Sequence, residues 1–271
     1  MLRRSYTIKP PPGTPIIPGH PLAQGLIKCY TLADVPRIFD GVRNVFTNVG
    51  SGNTWSLGRY GRCLNFDGSI NVPDFGNDTQ LDFGNNPYSI LVVASLGGTT
   101  GTIQTFVAKG VAGSSAPGWR FLANTWNTNN GMLFLEWGSN GGNGYVTSGT
   151  GVVPMDGTPN MYVAVKNPNI PLHKLYKNGT IVGTSINTAA QVDSPTPYRW
   201  GVFSNEYPSA NNSKTFLVYI WNRALYSEEV LDLYVNPYAM FEQPRRGKWF
   251  FVAAGELSIP VAMANYRQRS V

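Results

Sequence analysis

The sequence predicts an all-β sandwich of two antiparallel sheets with one short helix near its C-terminal end, and three observations carry that prediction. Charged residues are only 13% of the 271-residue chain, about half the usual share, while glycine (30) and proline (20) are abundant. Short β-branched and aromatic runs recur between clusters of Gly, Asn, Asp and Pro, the spacing expected of many short strands joined by tight turns. An Asn-Gly pair separates two of those runs, and this pair suits a type I′ hairpin turn because both central residues need positive φ.

In chain order, residues 1–24 form a proline-rich basic arm. The run Lys9-Pro10-Pro11-Pro12-Gly13-Thr14-Pro15 excludes helix and central strand, since proline lacks the donor and holds its neighbours extended. The folded body is expected over 25–241, opening with a strand at 26–30. Strands are predicted at 89–94, 102–108, 119–123, 132–137, 161–166, 198–203 and 215–221. A hairpin is predicted at 172–184 around Asn178-Gly179, and Gly97-Gly98-Thr99-Thr100-Gly101 reads as a hairpin turn. The helix is placed by Ser227 as N-cap, by Glu228 and Glu229 in the first turn, and by the apolar face Val230, Leu231, Leu233 and Tyr234. Asn236-Pro237 should stop it. Residues 242–271 are expected to hold a last strand at 248–253 and a basic tail.

The net charge of +6 sits in the tails. Residues 1–25 carry +3 and residues 242–271 carry +3, whereas the middle holds 13 basic and 13 acidic residues. A charge confined to two tails argues against a folded nucleic-acid groove. No apolar run reaches membrane-spanning length, and the basic start Met1-Leu2-Arg3-Arg4 lacks the apolar segment of a secretion signal. Two cysteines, Cys29 and Cys63, are too few for a disulfide scaffold and read as buried thiols.

Five stretches in order resemble the laminin-G-like, concanavalin A-like jelly-roll family. They are Gly25-Leu26, Gly58-Arg59-Tyr60-Gly61-Arg62-Cys63-Leu64-Asn65-Phe66-Asp67-Gly68, Lys109-Gly110, Tyr176-Lys177-Asn178-Gly179, and Trp221-Asn222-Arg223-Ala224-Leu225-Tyr226-Ser227-Glu228-Glu229. The resemblance implies a jelly-roll sandwich but no particular activity, because this architecture hosts lectins, glucanases, adhesion modules and structural parts. The close, Tyr234-Val235-Asn236-Pro237-Tyr238-Ala239-Met240-Phe241 and then Pro244-Arg245-Arg246, is similar to laminin-G-like proteins encoded among tailed-bacteriophage structural genes.

The chemistry expected of an enzyme is missing from this reading. Glu136 is the one glutamate in a strong predicted strand, and Phe134 and Gly138 stand two positions away, so no carboxylate pair faces a glycosidic bond. His20 lies among prolines and His173 starts a hairpin strand, which leaves no serine–base arrangement and no zinc pattern. Glu228 and Glu229 are accounted for by the helix dipole. Calcium is a weak candidate cofactor at Asp74, Asn77, Asp78 and Asp82, the densest group of oxygen ligands, although such residues also initiate turns. Sugar binding would use exposed aromatics, and the candidates are Trp126, Tyr145 and Tyr207. The tails read as docking arms through Arg3, Arg4, Tyr6, Lys9, Arg245, Arg246, Lys248, Trp249, Arg267 and Arg269.

The expectation is therefore a non-enzymatic virion structural protein, made in the host cytoplasm and decorating the capsid surface. Its arms would grip the major capsid protein, other virion subunits or copies of itself, as in a trimer. The alternative is a lectin-like adhesion module, of a phage tail or a bacterial surface, with surface glycans as partners.

Overall fold

A computed structural model describes residues 9–11, 13–32, 37–43, 45–49, 51, 53–111, 116–139, 142–170, 172–203 and 206–241. The architecture is a two-sheet β-sandwich. The larger sheet contains β1 (Leu26–Tyr30), β2 (Arg37–Asp40), β3 (Val45–Asn48), β4 (Thr54–Gly58), β5 (Gly61–Asn65), β6 (Tyr88–Ser95), β11 (Asn160–Lys166), β12 (His173–Lys177), β13 (Thr180–Ser185) and β15 (Lys214–Trp221). The smaller sheet runs β10 (Gly142–Thr147), β9 (Leu133–Ser139), β8 (Gly118–Ala123), β7 (Gln104–Gly110), β14 (Tyr198–Trp200). The larger runs β13-β12-β11-β6-β15-β1-β2-β3, with β5 also beside β15 and β4 beside β5.

Alternation along the strands builds two cores. From β6, Ile90, Val92 and Ala94 point between the sheets, together with Trp119, Phe121, Leu135, Trp137 and Trp200. Leu91 and Val93 point to the opposite face, where Trp221, Val230, Leu233, Leu22 and Met240 cover them. A strand buried on both faces reads as a continuous apolar run, which is why β6 and β15 stand out in the sequence. Strands β2 to β5 and β10 are shorter or more polar, and no strand is predicted there from the sequence.

The hairpin matches its prediction, with Asn178 at φ 51° and Gly179 at φ 82° between β12 and β13. The helix α1 (Ser227–Val235) ends before Asn236 as predicted, but its N-cap is Tyr226, one residue earlier than expected. Glu229 accepts from the Tyr226 N–H at 2.9 Å, and the Ser227 hydroxyl pairs instead with the Tyr176 hydroxyl at 3.0 Å. Gly97 to Gly101 is not a hairpin turn. It carries the chain from β6 in one sheet to β7 in the other, and a Cβ on Gly97 would come within 2.6 Å of the Asn212 backbone. Strand β14 stops at Trp200 rather than 203, where Gly201 takes φ 75°. The strand expected at 248–253 lies outside the described residues.

The part of the N-terminal segment that is described lies on the body. Leu22 is buried, its carbonyl accepts from the Trp221 indole at 2.7 Å, and Ile17 N–H donates to Met240 O at 2.8 Å. Strand β15 pairs with β5 through Lys214 and Thr215 and with β1 from Val218 onward. At the seam between those partners, the Lys9 ammonium donates to Arg62 O and, at 2.8 Å, to Phe216 O. Lys9, expected on an arm that grips a neighbour, thus closes a gap in its own sheet. Burial pushes it down to about 7. Cys29 and Cys63 are both buried free thiols.

Candidate functional site

The acidic group proposed for calcium is divided among separate cations. Asp78 pairs with Lys28 at 2.5 Å and Arg43 at 3.0 Å and accepts from the Gln80 N–H, while Asp82 pairs with Lys109. Asp74 pairs with Arg199 at 2.8 Å, and Asn77 is exposed. Lys28, Lys109 and Lys166 are buried lysines from β1, β7 and β11. All three reach the same segment, Lys166 through Gly84 O at 3.3 Å, so that residues 78–84 are tied across one end of the sandwich. The density of carboxylates there answers a need for counter-charges. Among the described residues no three His, Cys, Asp or Glu side chains are grouped to hold a metal. His20 accepts the Leu22 N–H, and His173 bonds Asn187 O and meets the Trp137 ring edge-on, so neither is placed as a base beside a nucleophile.

The aromatic candidates converge. In β8 and β9, Trp119, Phe121, Leu135 and Trp137 face the core, which turns Arg120, Leu122, Phe134 and Glu136 to the outer face of the smaller sheet. Residues directly opposite in antiparallel strands share a face. The pairings Tyr145↔Glu136, Glu136↔Arg120, Arg120↔Ala108 and Ala108↔Arg199 therefore define one row across all five strands, with Thr147, Phe134 and Leu122 in the next row.

Over these rows lies the segment that follows β14. Phe203 packs on Ala108 and Leu122, and Tyr207 stacks on Phe203 at 4.8 Å between ring centroids. The Thr105 hydroxyl holds Tyr207 O at 2.7 Å. Trp126 meets Tyr207 edge-on at 5.6 Å and is 61% exposed. An asparagine-built loop presents it: Asn124 and Asn127 take φ of 66° and 51°, and Asn124 and Asn130 side chains bond the loop backbone. Tyr145, 49% exposed, stacks on Phe134 at 5.7 Å, and Phe134 packs against the same cluster as Tyr207. The structure thus gathers Trp126, Tyr145 and Tyr207 on one sheet face.

An ion pair sits in the middle of that face. Arg120 is 1% exposed, donates to Val111 O at 3.1 Å and Ala116 O at 2.7 Å, lies under the Phe203 ring and approaches Glu136 at 3.6 Å. The covering segment reaches Arg120 because position 138 is glycine; a Cβ there would stand 1.8 Å from Ala116 O. Glu136 accepts from the Asn143 amide. Burial raises the Glu136 carboxyl against the opposing effect of Arg120, and burial lowers Arg120. Beside Arg199 and Phe203 a cavity of about 220 Å³ opens, lined also by Ala108, Gly110, Thr196 and Val202. At the other end, burial and the neighbouring Glu206 carboxylate push the Tyr207 phenol up.

Sequence reasoning missed Phe203, Arg120, Arg199 and Glu206 and treated Glu136 only as a failed catalyst. The available signal was parity: one arginine and one glutamate at outward positions of two adjacent apolar strands. Of the proposed docking residues, Arg3, Arg4, Tyr6, Arg245, Arg246, Lys248, Trp249, Arg267 and Arg269 lie outside the described residues.

No family model and no curated protein matches the sequence. Solved structures do share the fold. The binding domain of Paraclostridial Mosquitocidal Protein 1 is similar at a TM-score of 0.64 and 16% identity, over 80% of this chain and 53% of that one. The botulinum neurotoxin serotype G binding domain gives 0.62 and 12%, over 79% and 51%. Trypanosoma rangeli sialidase in complex with sialic acid gives 0.55 and 15%, over 80% and 34%. The chain spans about half the length of the two toxin domains and about a third of the sialidase.

Proposed function

We propose that this protein is a carbohydrate-binding module that holds a glycan across the outer face of its smaller sheet. The observation that carries the reading is the convergence there of Trp126, Tyr207 and Tyr145, held by Phe203 and Phe134 around the Arg120–Glu136 pair. Sugar rings present flat C–H faces to aromatic rings and hydroxyls to amides and carboxylates, and both partners are present. The toxin domains that share the fold are described as binding domains, which supports binding over turnover. So does the holding of Glu136 by Arg120 and Asn143, which suits a hydrogen-bond acceptor better than a proton shuttle.

A glycan array at near-physiological salt tests the reading, repeated with Trp126→Ala, Tyr207→Ala and Tyr145→Ala. Each aromatic stack is worth about 0.5–1.5 kcal/mol, so each change should weaken a bound glycan by about two- to tenfold. Ile186→Ser, at an exposed position just past the end of β13, should leave binding unchanged. Signals that stay flat across the array, or that survive all three alanine changes, would sink the proposal.

A further inference from the structure

We infer that the glycan this face takes is neutral and hydroxyl-rich, and that Glu136 and Glu206 are its specificity-determining acceptors. The inference rests on the carbohydrate reading above and concerns the class of sugar. Recognition of a sugar carboxylate or sulfate needs a cationic fork whose donors the ligand can reach. Neither arginine of the face offers an incoming anion an open fork: Arg120, whose Nη1 has no hydrogen-bond partner among the described residues, is only 1% exposed, and Arg199 is paired. Arg120 is enclosed by two backbone carbonyls, by Phe203 and by Glu136, and Arg199 holds Asp74. Against these two cations stand three carboxylates, Glu136, Glu206 and Asp74, so an incoming anion meets net repulsion.

The sequence around the face points the same way. Residues 124–132, 138–139 and 142–147 contain no charged residue and are rich in Ser, Thr, Asn and Gly. Such loops offer hydroxyls and amides, which match sugar hydroxyls in both donor and acceptor roles. Glu136 has one oxygen engaged by Asn143 and the other 3.6 Å from Arg120, while a carboxylate accepts about four hydrogen bonds. Its remaining capacity faces the row that Tyr145 flanks. Glu206 is exposed and directly precedes Tyr207, and its N–H donates to Phe203 O at 3.1 Å, which fixes its backbone at the Trp126 end. A pyranose stacked on either aromatic would therefore have a carboxylate at its edge to accept hydroxyl protons.

The test uses the full chain and matched ligands measured by calorimetry: neutral oligosaccharides such as maltohexaose, cellohexaose and lactose, against carboxylated counterparts such as oligogalacturonate and 3′-sialyllactose. Measurements at about 0.02 M and about 0.15 M salt separate charge effects from contact. At least one neutral ligand should bind, and its acidic counterpart should bind at least about tenfold more weakly at both salts. Glu206→Gln, a change at an exposed side chain, should weaken neutral binding several-fold with an unchanged thermal midpoint. Glu136→Gln should weaken it further, but it also unpairs Arg120, so Glu206→Gln is the variant that decides. An acidic ligand that binds as tightly as its neutral partner, or a Glu206→Gln variant that binds like the parent, overturns the inference and leaves the carbohydrate reading standing. Silence in both arms overturns the two together.

Discussion

Removing residues 1–24 should destabilise the body, although the sequence alone suggested a detachable arm. Leu22 is 4% exposed and packs in the second core beside Trp221, Leu225 and Met240. Burial of a leucine side chain contributes about 2 kcal/mol. The truncation also takes away the carbonyl that accepts the Trp221 indole N–H, and a buried donor without a partner costs about 1–3 kcal/mol. Arg223 loses its bonds to Gln24 O and Pro21 O, and Lys9 no longer closes the seam of β15. Relief of the cost of burying Lys9 offsets part of this. A net loss of about 3–5 kcal/mol remains, a large fraction of the 5–15 kcal/mol typical of a folded domain. For a body of this size that corresponds to a thermal midpoint lower by about 10 °C, readable by calorimetry alongside the emission of buried tryptophan. Should chain 25–271 melt within about 2 °C of the full protein, the segment is not part of the core and the reasoning fails.

Other perturbations test the remaining elements. Lys109→Met should destabilise by about 3 kcal/mol by leaving Asp82 without its cation, and adding Asp82→Asn should recover part of the loss; a single variant as stable as the parent in urea would contradict the tying of residues 78–84 by buried lysines. Burial lowers Lys9 to about 7 and Lys166 to about 8, below the ordinary lysine value, so between pH 7 and 10 the unfolded chain holds protons that the folded one does not. Stability should therefore rise with pH in that window, by at most about 1.4 kcal/mol per unit for each lysine, and Lys9→Met should flatten the rise. Equal slopes for the two proteins would refute the desolvation of the half-buried Lys9. Because Asp74, Asp78 and Asp82 answer to separate cations, calcium should leave the melting temperature within about 1 °C of its value in a chelator; a concentration-dependent rise would show a site.

What was legible in the sequence follows its physics. Strands β6, β11 and β15 are buried on both faces and announce themselves as apolar runs, and the Asn178-Gly179 turn announces itself by its backbone demand. Strand β10, Gly-Asn-Gly-Tyr-Val-Thr, is recognisable only by the partner it pairs with. The Gly97 to Gly101 stretch looked like a hairpin because local composition reports a turn, not which sheet the next strand joins. Trp126, Tyr145 and Tyr207 were found as isolated exposed aromatics, but their common face depends on strand register and on where Phe203 and Tyr207 pack, which no local pattern encodes. Phe203 escaped notice because it was assigned to a strand that ends three residues earlier. The ion pairs of Asp74, Asp78 and Asp82 were not legible, because their counter-ions Arg199, Lys28 and Lys109 come from strands distant in the chain. The expectation of a virion location rests on the tails and the C-terminal close, and nine of its ten named docking residues lie beyond the described structure.

The central claim is that a glycan lies on the outer face of the smaller sheet, and indole N–H resonances report on it directly. Trp126 is 61% exposed, whereas Trp119, Trp137, Trp200 and Trp221 are at most 1% exposed. Titration of the ¹⁵N-labelled protein with a glycan that binds on the array should move the Trp126 indole signal to saturation and leave the Trp221 signal, in the second core, in place. A saturable glycan that leaves Trp126 unmoved, or that shifts Trp221 instead, would place the ligand elsewhere and contradict the account.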